Sequence, residues 1–298
     1  MKSFLLTAVL VFNISPNYQA QKPTTTPALV ITTEPNASVW IDEIRRGTTD
    51  DSGKLTITKL SPARHTLRIR APGFKENITP LIPGRRVIEV KLVITTDKAE
   101  LLFQQAETSR EQAKDDAERQ KAADFYRDAI KLRPAYPAAQ IGLARVLMDL
   151  NQPGKAHEAI ESARRTRPSY PEASAIEGRI YREEAFTEEA IQSFRRAIRE
   201  ANGFQPEAHV GLARVLEEKG QFTEAVAEYR KAIDQLSDSE PVIYQMLGAA
   251  YEKLEKPKEA VVAYEKYLAL APNGSFAAAI RSILDQLKRE AAGEQIIP

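Results

Sequence analysis

IGLARVL, at residues 141–147, and VGLARVL, at residues 210–216, are nearly the same heptapeptide written twice, 69 residues apart. Prolines divide this part of the chain more finely, at intervals of 34, 35 and 35 residues, namely at Pro137, Pro171, Pro206 and Pro241. The distance between the two heptapeptides is therefore two such intervals. A fixed period of this length is typical of a repeat protein, in which one supersecondary unit is stacked several times.

The residues within each interval follow a helical pattern, with small and aromatic side chains at fixed places. The last repeat is the clearest, with Tyr244, Leu247, Gly248 and Tyr251 followed by Ala260, Tyr264 and Pro272. This pattern resembles the tetratricopeptide repeat, a helix-turn-helix unit of about 34 residues. The resemblance implies an all-α solenoid of five repeats over residues 99–274, with a closing helix over residues 275–292. Small residues that let paired helices approach are expected at Ala144, Gly178, Ala213 and Gly248.

The resemblance also implies that the first helix of each repeat lines an inner groove. Residues that directly follow the small positions should face this groove, and three of them are arginines: Arg145, Arg179 and Arg214. The predicted groove is completed by Ile141, Val210 and Gln245. A ladder of guanidinium groups suits carboxylates, so the predicted partner is a peptide or protein with acidic groups. The alternative is that the arginines pair with this chain's own carboxylates about one helical turn later, at Asp149, Glu183, Glu217 and Glu218.

A strand pattern precedes the helical part, over residues 28–93. HTLRIRA alternates, with Leu67 and Ile69 on one face and Thr66, Arg68 and Arg70 on the other. Turn residues separate this run from other alternating runs, as in EPNA, DDSGK, APGF and IPGR. The sequence therefore predicts a small all-β, sandwich-like module at the N-terminal end of the repeats.

Two segments of this module, TEPNASVWIDEIRRGTT and LSPARHTLRIRAPGF, resemble the PEGA domain, a small β module of bacterial surface and exported proteins. The chain departs from that family where Asn36, Glu43 and Ala63 replace glycines. Asn36 is compatible with the family turn, because asparagine tolerates the left-handed backbone conformation. Trp40 points away from Val39 and Ile41, and we expect it to pack in a second layer or against the next domain; the alternative is stacking on a sugar or peptide ligand.

The first twenty residues have the pattern of a secretory signal peptide, with Lys2 followed by an apolar run and then by polar residues. Residues 1–20 are therefore predicted to direct export to the periplasm or cell envelope of a bacterium. A buried N-terminal strand and an uncleaved anchor remain as alternatives. Residues 21–27, QKPTTTP, are expected to form an extended linker, residues 94–98 a second linker, and residues 293–298 a tail.

The composition argues against several classes of function. The 298 residues include 42 basic and 41 acidic residues, so no overall field attracts nucleic acid. There is no cysteine, and the three histidines are far apart, which argues against a metal site. The sequence also lacks a phosphate-binding loop and a nucleophile elbow, so we expect no cofactor and no enzymatic activity.

Two functions remain after these exclusions. The first is an exported, non-catalytic adaptor whose groove binds a protein or peptide while the β module docks to an envelope component. The alternative is a carbohydrate or cell-wall binder that uses the β module, with the repeats as a spacer. The period, composition and spacing do not name the partner.

Overall fold

A computed structural model describes residues 28–42, 44–58, 60, 65–236 and 240–292. The predicted signal peptide, the linker over residues 21–27 and the tail over residues 293–298 lie outside the described residues, as do Glu43 and Ala63. The described part begins with seven strands: β1 (Leu29–Thr32), β2 (Ser38–Ile41), β3 (Ile44–Thr48), β4 (Lys54–Ile57), β5 (His65–Arg70), β6 (Asn77–Leu81) and β7 (Val87–Glu89).

The strands form two sheets, as the alternating pattern predicts. One sheet has the order β4-β1-β7, with β1 antiparallel to β4 and parallel to β7. The other has the order β3-β2-β5-β6 and is antiparallel throughout. Apolar side chains of both sheets are fully buried, including Ile31, Val39, Leu67 and Ile69. The residues predicted to face inwards on the HTLRIRA segment therefore do so.

Asn36 has a φ of 57°, in the left-handed region. The turn between β1 and β2 thus uses asparagine where the PEGA family has glycine. Since this is one local feature, the PEGA resemblance stays a prediction. No helix in the described part of the chain combines the length and apolar content needed to cross a bilayer.

Eleven helices follow the strands in the described residues. They are α1 (Lys98–Gln112), α2 (Asp116–Leu132), α3 (Pro137–Asp149), α4 (Pro153–Thr166), α5 (Pro171–Glu183), α6 (Thr187–Glu200), α7 (Pro206–Glu218), α8 (Phe222–Leu236), α9 (Val242–Lys253), α10 (Pro257–Leu270) and α11 (Ala277–Ala292). Successive helices pack in five pairs, and each pair packs on the next. The last helix, α11, packs on α10. The chain is therefore a small β module followed by a helical solenoid.

The repeating prolines set where the first helices begin. Pro137, Pro171 and Pro206 are the first residues of α3, α5 and α7, where a missing N–H costs no hydrogen bond. Between the two helices of a repeat the backbone enters the left-handed region at equivalent places, namely at Asn151, Ala185, Gly220 and Glu255. These turns end each first helix and reverse the chain into the second.

Close packing of aromatic rings on glycines holds the helices together. A Cβ added to Gly178 or Gly211 would come within 3 Å of the Phe194 ring, at 2.7 Å and 2.3 Å respectively. Phe194 therefore lies between α5 of its own repeat and α7 of the next repeat. Gly248 packs on Tyr264 in the same way, and Gly142 on Tyr126. Phe194 on α6 thus contacts the first helices on both sides, and Tyr126 on α2 contacts the first helix of the next repeat, which joins neighbouring repeats.

The β module is attached to α1 by a polar junction. Arg70 donates to Glu76 on the β module at 2.6 Å and to Glu107 on α1 at 3.2 Å, and its guanidinium lies 4.6 Å from the centre of the Phe103 ring. Although burial disfavours its charge, Glu76 and Glu107 hold the pKa of Arg70 above its ordinary value. Gln104, which is 7% exposed, accepts from the backbone of Gly73 and donates to the carbonyl of Phe74.

The predicted linker over residues 94–98 is not an open tether between the two parts. Ile94 forms a β-bridge with Phe74, and Thr95 donates from its backbone to the carbonyl of Gly73. Asp97 already caps α1, because its side chain accepts from two backbone N–H groups of that helix. This segment therefore fixes the position of the β module relative to the first helix.

Candidate functional site

A cavity of about 1120 Å³ lies between the repeats and the β module. Its lining includes residues at or near the start of the first helices α5, α7 and α9, and residues of the β module. We call this cavity the groove; its lining includes Glu172, Glu207, Val210, Glu240, Val242 and Ile243 from the repeats, and Asp42, Arg45, His65 and Thr66 from the β module.

Arg145 makes a bidentate ion pair with a carboxylate two repeats away. Its two terminal nitrogens each donate to one oxygen of Glu207, at 2.8 Å. Although burial favours the neutral carboxyl, the Arg145 guanidinium holds the pKa of Glu207 below its ordinary value. Arg145 therefore pairs with a carboxylate of its own chain, as the second interpretation predicts, but its partner is Glu207 rather than Asp149.

The other two arginines of the predicted ladder differ from each other. Arg179 donates to Glu183, as the one-turn rule predicts, and also to Asp149 on α3, both at 2.9 Å. Arg214 is exposed and makes no ion pair within 4 Å in the described part of the chain. Its expected neighbour Glu217 instead accepts a hydrogen bond from Tyr229 at 2.6 Å. Two of the three guanidinium groups are therefore already bound by carboxylates of this chain.

The three remaining predicted groove residues lie in different surroundings. Val210 lines the groove and is half-buried. Ile141 is only 4% exposed and belongs to the apolar core of the solenoid, so it offers no surface to a partner. Gln245 is half-buried on α9 but is not part of the groove lining. These three residues each lie four positions after a repeating proline, so an equivalent position in the repeat is a weak guide to exposure.

Trp40 lies at the junction between the β module and α1. It is 9% exposed, and the guanidinium groups of Arg68 and Arg70 lie 4.5 Å and 5.3 Å from the centre of its ring. Arg70 also contacts Phe103 on α1, so the tryptophan packs towards the next domain, as the first interpretation predicts. The ring offers little free face for stacking on a ligand.

Two histidines hold backbone segments beside the groove. His65 contacts the carboxylate of Asp42, which also accepts from the backbone of Thr66 at 2.8 Å. In the solenoid, both ring nitrogens of His209 face acceptors, the carboxylate of Glu228 and the carbonyl oxygen of Gly203. Both contacts position walls of the groove. In the described residues, no group of three or more histidine or acidic side chains is arranged to hold a metal ion.

Sequence reasoning missed the acidic residues of the groove, although a signal for them exists. Glu172 and Glu207 each directly follow one of the repeating prolines, and the aliphatic groove residue Val242 does so as well. Since that proline begins or caps a first helix, the next side chain lies in the first turn, at the end of the helix that faces the β module. The wall formed by the β module has no comparable signal, because it depends on how the two parts of the chain pack.

Comparison with family models identifies the helical part. Three tetratricopeptide repeat models match residues 113–180, 177–241 and 241–273, which together span more than half of the chain. The matched residues begin after the β module, so they do not bear on the PEGA resemblance. A search of curated proteins finds no significant sequence match.

Solved structures agree on the fold. TTC0263, a tetratricopeptide repeat protein of Thermus thermophilus, is 19% identical, with a TM-score of 0.52 over 64% of this chain and 98% of its own. The pilF protein of Pseudomonas aeruginosa is 16% identical, with a TM-score of 0.54 over 66% and 88%. PilW, a type IV pilus biogenesis factor, is 16% identical, with a TM-score of 0.56 over 67% and 90%. Identities this low support the fold alone. Together with the matched repeats, they show that this chain belongs to the tetratricopeptide repeat family.

Proposed function

We propose that this chain is a non-catalytic adaptor that binds an extended segment of a protein partner in the groove. The observation that carries the proposal is the 1120 Å³ cavity, which lies on the surface formed by the first helices of consecutive repeats. Solenoids use such extended surfaces for binding. The lining combines aliphatic side chains such as Val210 and Val242 with charged groups, which suits a peptide better than a small uniform ligand.

The export part of the proposal rests on the sequence of residues 1–20 and on the PEGA resemblance. In this proposal the chain is directed to the periplasm or cell envelope of a bacterium, and the β module docks to an envelope component. Cell fractionation followed by N-terminal sequencing tests it. Recovery of the protein from the cytosol with Met1 still in place would overturn export while leaving the groove proposal intact.

An acidic partner remains one version of this proposal; it would extend beyond the groove to Arg214, which is exposed and lies outside the groove lining. A partner carboxylate at Arg145 or Arg179 would compete with the carboxylates that already bind them, Glu207 for Arg145, and Asp149 and Glu183 for Arg179. The alternative function, carbohydrate binding by the β module, gains no support from Trp40, because that ring is 9% exposed and covered by arginines.

Site-specific crosslinking tests the groove. A photoreactive amino acid is placed at Val210 in the groove, and in a second variant at Val262, which is 67% exposed and lies outside the groove lining. The proposal expects a discrete crosslinked protein from position 210 and none from position 262.

A second substitution in the same protein sharpens this test. Val242→Asp places a charge on the aliphatic part of the groove and should abolish the crosslink from position 210, whereas Val262→Asp should leave it unchanged. Equal crosslinking from both positions, or a crosslink that is insensitive to Val242→Asp, would show that partners do not enter the groove.

A further inference from the structure

The groove is shared between two parts of the chain, so its occupant must suit both walls. The repeat wall carries an aliphatic surface, formed by Val210 and Val242 beside the buried Ile243. The opposite wall is polar, and its lining residues are Asp42, Arg45, His65 and Thr66. An occupant therefore needs apolar side chains on one side and polar or charged groups on the other.

Most charges in the groove are already neutralised by this chain. Glu207 is bound by Arg145, and Asp42 is in contact with His65. Arg45 lies 3.4 Å from Glu111 on α1. These pairs leave little net charge to attract a partner, so the selectivity of the groove depends on the lining residues that remain.

Three charged side chains of the groove lining lie outside these pairs, namely those of Glu172, Glu240 and Arg167. Glu172 and Glu240 make no ion pair within 4 Å in the described ranges of the chain, although Glu172 is near enough to Arg145 to help raise the pKa of that arginine. One carboxylate oxygen of Glu172 is buried without a hydrogen-bond partner. Arg167 lies 4.1 Å from the centre of the Tyr170 ring, so a ring face accounts for part of its interactions. The free charge of the groove is thus negative. A nearby cation would offset the cost of leaving the Glu172 carboxylate partly desolvated.

We propose that the groove selects a peptide segment carrying a lysine or arginine next to an aliphatic side chain. The aliphatic side chain packs on Val210 and Val242, and the cation lies near Glu172 and Glu240. This inference rests on the proposed function, because it names the chemistry of the partner that enters the groove. It opposes the acidic partner that the arginine ladder predicts from sequence.

Selection from a displayed library of random octapeptides tests the inference with the full chain as bait. Parallel selections use a Val242→Asn variant, which makes the aliphatic surface polar without adding a charge, so that groove-dependent peptides are those recovered with the native chain and lost with this variant. The expected result is enrichment of Lys or Arg adjacent to Leu, Ile or Val among the groove-dependent peptides.

Binding of one such synthetic peptide is then measured by fluorescence anisotropy. Glu172→Gln combined with Glu240→Gln should weaken it about tenfold, which corresponds to two partly exposed ion pairs, and should reduce its dependence on salt. As a matched control, Glu158→Gln with Glu259→Gln alters two exposed carboxylates outside the groove lining and should leave the affinity unchanged.

The outcomes separate this inference from the proposed function. Groove-dependent peptides that are rich in Asp or Glu, or that bind equally well after the double glutamine substitution, would overturn the basic-segment inference and leave the adaptor function standing. Recovery of no peptide that depends on Val242 would overturn both.

Discussion

Replacing Gly211 by alanine tests the packing that joins neighbouring repeats. The new Cβ would lie 2.3 Å and 2.4 Å from two carbons of the Phe194 ring, whereas non-bonded carbons pack at about 3.5–4.0 Å. The ring would have to move by more than about 1 Å. Movement of the ring is restricted, because Gly178 also packs on it, so closely that a Cβ built there would lie 2.7 Å from a ring carbon. The substitution therefore strains both α5 and α7.

The expected magnitude follows from two opposing effects. Overpacking a buried site costs about 1–3 kcal/mol, and a ring held on two sides belongs at the upper end. Alanine also favours a helix over glycine by about 1 kcal/mol. We therefore expect Gly211→Ala to lower the free energy of unfolding by about 2 kcal/mol, as measured by urea denaturation followed by circular dichroism of the helices.

Two further variants show whether the loss comes from this ring. Gly154→Ala on α4 is the matched control, because its Cβ would meet no atom within 4 Å; it should be neutral or slightly stabilising. In Phe194→Leu the ring is gone, so adding Gly211→Ala should cost at least about 1 kcal/mol less than in the native background. If Gly211→Ala were as stable as Gly154→Ala, the close contact between α7 and Phe194 would be refuted.

Three other predictions concern turns, pH and the groove. Ala185 has a φ of 61°, so Ala185→Gly should raise the midpoint of urea unfolding. Gly220 has a φ of 73°, so Gly220→Ala should lower the free energy of unfolding by about 1–2 kcal/mol. If Ala185→Gly destabilised the protein and Gly220→Ala stabilised it, the strain of the left-handed turns would be refuted. Burial opposes ionisation of Glu228, but the contacts of its carboxylate with His209 and Lys231 together outweigh burial and hold the pKa of Glu228 below its ordinary value. This carboxylate therefore stabilises the fold above the unfolded pKa of about 4.3 and ceases to do so as pH falls through its lower folded value, so Glu228→Gln should flatten the acid side of the stability–pH curve measured by thermal unfolding. Arg145→Ala should free Glu207 and strengthen binding of the selected basic peptide in the anisotropy assay, whereas an unchanged or weaker affinity would show that the charge of Glu207 does not contribute to binding.

The sequence predicts the helical fold well because its information is local and repeated. The prolines at equivalent positions place the starts of α3, α5 and α7, and the small residues Gly178 and Gly248 identify close contacts within a repeat. The contacts of Gly142 and Gly211 with the preceding repeat were missed, because they depend on how one helix pair sits on another. The left-handed turns share no residue type, because Asn151, Ala185, Gly220 and Glu255 occupy them, so the sequence gives no common signal for these positions.

The β module shows a different limit. Alternation predicts which residues of β5 face inwards, and Leu67 and Ile69 are fully buried. It does not predict that β1 pairs in parallel with β7, a strand that follows more than fifty residues later in the sequence. Likewise, nothing local predicts that Arg70 bridges to α1, because the partner Glu107 lies in the other part of the chain. Pairing between distant segments is decided by packing, which the periodicity of a single strand does not encode.

The ion pairs of Arg145 and Arg179 show why the charge of such a site is hard to predict from sequence. A one-turn rule finds Glu183 beside Arg179, but it misses Glu207, because that residue is 62 positions from Arg145 and reaches it only when three first helices lie side by side. The same stacking that brings Glu207 to Arg145 neutralises both groups. Glu172, on the helix between them, keeps its carboxylate without an ion pair in the described residues. The unpaired negative charge of the groove therefore comes partly from Glu172, on the helix that lacks such an ion pair. Equivalent positions of a repeated sequence thus differ in charge from one repeat to the next.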